Sequence, residues 1–276
     1  MNNVLLFTSL TSASDYLYQL LNSVVGHSWV LDTLLTLPLE NQLVKAAIVG
    51  GCFVAVWFGR GEEAEIVRRR KILLLTLLAA VFVIVTTKTI SKTVFLPRPF
   101  IQSQKAFHLE GDQLVESQKL PFRVPLDDES QKGFQALQKG EVFQNDLGSF
   151  PSDHAGFYLT LAVGIWLASR RIGSIAIAWT VLVIMGSRVI TGQHSPLDVV
   201  VGGGIGIVIL LLVQLIVGKG FRKLLDPITR WTLQHQALSS ALIFITIFEA
   251  ANTLQNLRPL LKAGMAIGKH LIKGQL

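Results

Sequence analysis

The segment Ser187–Gly218 reads SRVITGQHSPLDVVVGGGIGIVILLLVQLIVG. From Val199 onward it contains no charged residue, over a length that lets a helix cross about 30 Å of hydrocarbon. Immediately before this apolar run stand Arg188, His194 and Asp198. The segment therefore predicts a membrane-spanning helix whose first turn carries reactive polar side chains.

Two interpretations fit the polar part of this segment. His194 and Asp198 are four residues apart, which places them on one face of a helix turn, where a carboxylate can hold the tautomer of an imidazole and raise its basicity. Arg188, which is always charged, suits a phosphate ligand. Alternatively, Ser195–Asp198 is only a capping box with Pro196 at the first helical position. Both can hold, but the box accounts for neither Arg188 nor His194.

The composition is that of a membrane protein. Hydrophobic residues make up 50% of the chain and charged residues 16%, and the mean hydropathy is positive. The net charge of +7 does not indicate a nucleic-acid partner, because the basic residues lie between apolar segments, as membrane topology requires. Cys52 is the single cysteine, so an intrachain disulfide is excluded and we interpret it as a packing residue.

The apolar segments predict an all-α fold, a polytopic membrane bundle. Five spans are expected, near residues 43–59, 72–91, 152–170, 172–190 and 199–218, with 237–251 as a candidate sixth. Three domains are predicted: an amphipathic or membrane-associated segment 1–40; a core 41–225 with a polar outer loop 100–150; and apolar and basic amphipathic helices in 226–276. Segment 1–40 can either span the membrane or lie in its interface, and its pattern favours the interface.

Charge distribution orients the bundle. Basic clusters at 60–71, at Arg170–Arg171 and after residue 218 alternate onto one side, which the positive-inside rule makes cytoplasmic. The 96–150 connection and the 191–195 turn then face outward. Residues 101–150 hold eight Gln, five Lys or Arg and eight Asp or Glu, a composition typical of a solvated lid.

Two further polar stretches fall on the predicted outer side. Lys92–Pro99 closes the second span, and Phe150–His154 opens the third. Each has a structural explanation, since lysines near span ends snorkel to the headgroups and Ser152 is a good N-cap. A helix N-terminus with Ser152 and His154 can also bind an anion through its free N–H groups. The convergence of both stretches with 187–198 at one membrane face favours a phosphate site.

These three stretches resemble the signature blocks of the type-2 phosphatidic acid phosphatase superfamily, which are Lys-x6-Arg-Pro, Pro-Ser-Gly-His and Ser-Arg-x5-His-x3-Asp. The third block matches at every specified position. The second is Pro151–His154 with Asp in place of Gly, a variant similar to the bacterial undecaprenyl-diphosphate phosphatases of the superfamily. The first is one residue short between Lys92 and Arg98, which makes Lys88 an alternative lysine. Residues 21–32 resemble the leader of the same phosphatases.

The resemblance implies a role for each matched residue. It implies that His194 is a nucleophile that forms a phosphohistidine, that Asp198 orients it, and that His154 is the general acid and base. The residues implied in binding the substrate phosphate are Lys92, Arg98, Ser152, Asp153 and Arg188. Neither a metal nor another cofactor is implied.

The implied function is an integral membrane phosphatase that hydrolyses an undecaprenyl-type isoprenoid diphosphate at the extracytoplasmic face of a bacterial plasma membrane. The expected partners are this lipid substrate and the bilayer. Alternatives are a phosphatidic-acid or phosphatidylglycerophosphate phosphatase, a lipid headgroup phosphotransferase, and a membrane scaffold or transporter without activity. The sequence leaves the substrate and the oligomeric state open.

Overall fold

A computed structural model describes residues 2–94, 96, 98–99, 106–110, 113–117, 148–220 and 222–251. The chain forms two compact units, Met1–Gly220 and Phe221–Leu276. The predicted basic amphipathic tail and most of the predicted lid lie outside the described residues. The domain limits predicted from the sequence stay predictions, although both helices of segment 1–40 belong to the first unit.

Helices account for nearly all the described structure. The first unit contains α1 (Asn2–Asn22), α2 (Trp29–Glu40), α3 (Gln42–Trp57), α4 (Glu63–Thr93), α5 (Asp153–Ala168), α6 (Arg170–Trp179), a π-helical stretch (Thr180–Met185), α7 (Gly186–Ile190) and α8 (Pro196–Gly220). Between α4 and α5, strands β1 (Ala106–Glu110) and β2 (Gln113–Ser117) pair antiparallel, with Ala106 opposite Ser117. The second unit contains α9 (Arg222–Gln234) and α10 (Gln236–Ala251).

By length and composition, three helical segments of the described chain can cross a membrane: Glu63–Thr93, Arg170–Ile190 and Pro196–Val217. A fourth results if Val30–Leu39 and Leu43–Trp57, which meet at a bend of 63°, form one broken span. These helices indicate an integral membrane protein. Five spans are not shown, because two of the predicted spans correspond to α3 and α5, which have 16 residues each.

Asn41 produces the bend between α2 and α3. Its backbone is extended, with φ −95° and ψ 110°, so it ends one helix and begins the next. Its side-chain oxygen accepts hydrogen bonds from the N–H groups of Leu43 and Val44, at 2.9 and 3.2 Å. This is the usual way in which an N-cap satisfies the free donors of a first turn.

Glycines bring α5 and α8 into unusually close contact. A Cβ added to Gly202 would lie 2.2 Å from the carbonyl oxygen of Ser152, and one added to Gly206 would lie 2.4 Å from that of Gly156. The Gly202–Gly206 spacing therefore serves close helix packing. At the same contact the Ser152 N–H donates to the Asp198 carbonyl at 3.1 Å, which joins the starts of the two helices.

The two ends of the bundle have different chemistry. At one end, Arg68 of the basic cluster 60–71 donates from Nη2 to the carbonyl of Ala168, the last residue of α5, at 3.0 Å. At the other end, Lys88 near the end of α4 forms an ion pair with Asp153, the first residue of α5, at 2.8 Å. The two helices are thus antiparallel, and the polar stretches around residues 88–98, 149–154 and 187–198 meet at the end away from the basic cluster.

Candidate active site

A tight turn between α7 and α8 holds His194. The N–H groups of Gln193 and His194 both donate to the Arg188 carbonyl, at 2.9 and 3.1 Å, which folds residues 191–195 back against the end of α7. Gly192 has φ +75°, a conformation that L side chains rarely adopt. The Thr-Gly-Gln sequence therefore lets the chain reverse direction and point the histidine ring into the bundle.

The surroundings of His194 define which nitrogen can react. Its side chain is 5% exposed, and Nδ1 lies 2.8 Å from the carbonyl oxygen of Ser149. Because a carbonyl only accepts, Nδ1 carries the proton and Nε2 keeps a free lone pair. Burial, together with the charges of Arg98 and Arg188, holds the pKa of His194 well below its usual value. At neutral pH the ring is neutral, as a nitrogen nucleophile must be.

Asp198 does not make the hydrogen bond expected of it. Its Oδ2 is 3.9 Å from His194 Nδ1, beyond hydrogen-bonding distance. The same oxygen accepts from the Ser195 N–H at 2.7 Å, and the Asp198 N–H donates to the Ser195 hydroxyl at 3.1 Å. The capping box is therefore present, and the Ser149 carbonyl occupies the orienting position beside the histidine.

His154, in contrast, has a carboxylate partner. Its Nδ1 lies 2.8 Å from Asp153 Oδ1, and Asp153 Oδ2 is 2.8 Å from the Lys88 ammonium. A carboxylate in a phosphate site would repel the ligand unless it were paired. Here it is paired on both oxygens, so Asp153 orients His154 and leaves the Nε2 of that ring available to exchange protons.

Ser152 and Arg188 lie at the centre of the site. Ser152 is fully buried and accepts a hydrogen bond from the Ala155 N–H at 3.3 Å, as the N-cap of α5. Arg188 is 6% exposed, and its Nε is buried without a hydrogen-bond partner in the described chain. Its charge acts directly on that of Arg98, which donates from Nη1 to the side chain of Gln193. Two guanidinium charges that act on each other and on a buried histidine favour an anionic ligand.

The two candidate lysines differ in position. Lys92 is exposed, and its side chain makes no hydrogen bond or ion pair with any residue that the structure describes. Lys88 stands one helical turn earlier and contacts Asp153. The structure therefore brings together Lys88, Arg98, Ser152, Asp153, His154, Arg188, His194 and Asp198, and leaves Lys92 outside this group.

A comparison with protein-family models decides the family. The model of the PAP2 superfamily matches residues 69–222. The chain belongs to the PAP2 superfamily. Members of this superfamily are phosphatases that act on phosphate esters, and the matched region contains both histidines and both arginines of the site. No curated protein and no solved structure matches the chain significantly.

Several residues that support this PAP2 site carry no sequence signal of their own. Ser149 acts through its backbone carbonyl, and its own N–H donates to the Leu96 carbonyl at 2.7 Å. From α1, outside the matched region, the Asn22 side-chain amide donates to the Ile190 carbonyl at 2.7 Å, and the Ser14 hydroxyl accepts from the Leu197 N–H at 3.1 Å. Helix α1 thus holds both sides of the His194 turn.

Two further side chains line the same region. Tyr158 is 2% exposed, its ring stacks on that of His154 with centroids 6.4 Å apart, and its hydroxyl has no hydrogen-bond partner in the described residues. Lys45 of α3 is 3% exposed and interacts electrostatically with Arg188 and Asp153. Neither belongs to the three stretches that the sequence singled out, because an isolated Tyr or Lys in an apolar helix has no distinguishing spacing.

Proposed function

We propose that the protein is a lipid phosphatase that hydrolyses an undecaprenyl-type isoprenoid diphosphate through a phosphohistidine at His194. The observation that supports this most directly is the His194 ring itself. It is buried and neutral, its Nδ1 proton is held by the Ser149 carbonyl, and the charges of Arg98 and Arg188 act on it. A neutral imidazole can attack phosphorus, and two guanidinium groups beside it can hold the oxygens of the phosphate.

In the first step, His194 Nε2 attacks the terminal phosphorus. The new P–N bond forms as the bond from phosphorus to the bridging oxygen breaks, and that oxygen leaves with the electron pair. His154 supplies a proton from Nε2 to the leaving oxygen, while Asp153 holds its Nδ1–H. The lipid monophosphate is then free to depart.

In the second step, water resolves the intermediate. His154, now neutral, accepts a proton from the water, whose oxygen bonds to phosphorus as the P–N bond breaks and the electron pair returns to His194. Inorganic phosphate leaves. Arg98 and Arg188 stabilise the non-bridging oxygens in both steps, since charge accumulates there in the transition state.

Substrate and location rest on different features. The Asp153 variant of the second block favours an isoprenoid diphosphate over phosphatidic acid or phosphatidylglycerophosphate. The apolar helices fit a substrate whose tail stays in the bilayer. Basic residues at 60–71 and 170–171 favour a site on the extracytoplasmic face of a bacterial plasma membrane. We expect hydrolysis to need no metal ion, because guanidinium groups can stabilise the charge that develops in the transition state.

Phosphate release tests the proposal. Detergent-purified protein in EDTA is given an isoprenoid diphosphate, phosphatidic acid or a water-soluble phosphate ester, with His194→Ala as control. We expect release from the isoprenoid diphosphate to be the fastest and to need His194. Release that persists in His194→Ala contradicts the mechanism, release lost in EDTA contradicts metal independence, and faster release from phosphatidic acid contradicts the substrate.

Cysteine labelling tests the location. In a Cys52→Ala background, Ser130→Cys lies in the long polar loop and Arg171→Cys in a basic cluster. A membrane-impermeant maleimide added to intact cells should label the first and not the second. The opposite pattern would place the active site in the cytoplasm.

A further inference from the structure

Lys45 is a buried cation that forms no ion pair with a carboxylate among the residues that the structure describes. It lies in the first turn of α3, its side chain is almost entirely buried, and its ammonium donates one hydrogen bond, to the Leu39 carbonyl at 3.0 Å. An ammonium has three N–H donors. A buried charge is costly unless it is paired, so two free donors on a buried lysine indicate a missing anion.

The position of Lys45 suggests which anion this is. Helix α3 ends at Trp57, whose ring lies 4.6 Å from the Arg70 guanidinium of the basic cluster, so its first turn with Lys45 lies at the opposite end of the bundle, where the phosphate site is. There the charge of Lys45 acts on Arg188, Asp153 and His154. Asp153 does not neutralise Lys45 directly, because the two oxygens of the Asp153 carboxylate already contact Lys88 and His154, each at 2.8 Å. Since the described residues offer Lys45 no other carboxylate, an anionic ligand is the partner that fits it.

The proposed reaction gives the site a nucleophile side, at His194, and a leaving-group side, at His154. Arg98 acts electrostatically on His194, the attacking residue. Lys45 acts on His154, the residue that protonates the leaving oxygen. In a monophosphate ester the leaving group is an alcohol without charge, whereas in a diphosphate it is a second phosphate. A cation beside His154 is useful mainly when the leaving group is itself an anion.

We infer that Lys45 binds the phosphate that remains on the lipid and thereby makes the site selective for diphosphate over monophosphate esters. This inference rests on the proposed function and assigns the selectivity to one residue outside the family-matched region. No new bond is involved: Lys45 donates hydrogen bonds to the departing phosphate, whose negative charge grows as the bridging P–O bond breaks. Lys45 is in this respect a specificity residue.

The test compares farnesyl diphosphate with farnesyl phosphate as substrates of the detergent-purified protein. Lys45→Met should lower kcat/KM for the diphosphate about 10- to 100-fold, the usual effect of losing a hydrogen bond to a charged group, and should change kcat/KM for the monophosphate much less. Asn41→Ala is the matched control, because it weakens the start of α3 without removing the ammonium. It should affect both substrates alike.

Two results would overturn the inference. One is an equal loss for both substrates in Lys45→Met, which indicates that the lysine only supports the bend through the Leu39 carbonyl. The other is a Lys45→Met variant whose kcat/KM equals that of the wild-type protein for both substrates. If Lys45→Met does not fold, inhibition of the wild-type protein decides: pyrophosphate should compete with p-nitrophenyl phosphate at lower concentration than inorganic phosphate, and equal inhibition constants would refute selectivity.

The failure of this inference differs from failure of the proposed function. If the wild-type protein hydrolyses neither farnesyl ester, or if His194→Ala retains activity, the proposed function fails. If the wild-type protein hydrolyses the diphosphate through His194 but Lys45→Met keeps the wild-type ratio, only the assignment of Lys45 is wrong.

Discussion

Burial and the charge of Arg188 lower the pKa of both histidines, that of His154 to about 4, but the two rings differ in the partner of Nδ1. His194 is 5% exposed, and its Nδ1 faces a backbone carbonyl, with the nearest carboxylate 3.9 Å away. His154 is 23% exposed, and its Nδ1 contacts the Asp153 carboxylate at 2.8 Å. A carbonyl fixes a tautomer without stabilising a positive ring, whereas a carboxylate does both. The first arrangement suits a neutral nucleophile and the second an acid and base that must carry a proton for part of the cycle.

The largest expected effect comes from removing the proposed nucleophile. His194→Ala should reduce phosphate release by at least about four orders of magnitude, as loss of a covalent nucleophile does in other enzymes. The measurement is kcat with an isoprenoid diphosphate, together with alkaline-quench trapping of ³²P on the wild-type protein, because phosphohistidine is stable in base and labile in acid. Trapped phosphate on the His154→Ala variant but none on His194→Ala would support His194 as the nucleophile. The reverse result would make His154 the nucleophile.

His154→Ala should have a smaller effect that depends on the leaving group. Loss of a general acid costs about 10²- to 10⁴-fold with a poor leaving group. A leaving group that needs no proton, such as p-nitrophenolate, should recover most of this loss in His154→Ala and none in His194→Ala. Equal losses with both kinds of substrate would mean that His154 binds the phosphate instead of protonating the leaving oxygen.

The contact that joins the two histidine regions is also open to test. Gly202 packs against the Ser152 carbonyl, and the Ser152 N–H bonds to the Asp198 carbonyl. Gly202→Ala should destabilise the protein by about 1–3 kcal/mol through overpacking, and lower activity as the two helix starts separate. Gly204→Ala is the control, because a Cβ there meets no atom within 4 Å. Equal melting temperatures in detergent would argue against the close contact.

The sequence predicted the parts of this site that lie in short local patterns. Arg188, His194 and Asp198 belong to one stretch of the chain, and their order alone indicated their shared location. Ser149 could not be found in the same way, because its contact with His194 uses a backbone carbonyl and joins residues 45 positions apart. Lys45 was not predicted for a similar reason, since nothing in the local sequence shows that its buried ammonium interacts with Asp153 and Arg188.

Helix geometry explains what the sequence left undecided. Lys88 and Lys92 are one turn apart on the same face of α4, so the helical periodicity of the sequence could not show which of them lies at the site. In the structure Lys88 lies one turn deeper and contacts Asp153, whereas Lys92 is exposed. The all-helical membrane bundle followed from the apolar runs, but their lengths did not give the number of spans. Asn41 divides one apolar stretch into two helices, and α5 ends at Ala168, after 16 residues.

The smallest expected effect is that of Asp198→Asn, and it tests the difference between the histidines most directly. Where a carboxylate alone holds the tautomer of a catalytic histidine, replacing it with an amide costs about 10⁴-fold, because the wrong tautomer forms. Here the Ser149 carbonyl keeps the proton on Nδ1, so the variant loses only the electrostatic support of a carboxylate 3.9 Å away. We expect a loss of about 10-fold in kcat, which corresponds to about 1.4 kcal/mol of lost electrostatic stabilisation.

The contribution of the Ser195 cap is measured separately with Ser195→Ala, which removes the hydroxyl that accepts from the Asp198 N–H and leaves the carboxylate in place. A loss near 10⁴-fold in Asp198→Asn alone would mean that the carboxylate moves onto Nδ1 once substrate is bound, and that the two histidines are then held in the same way.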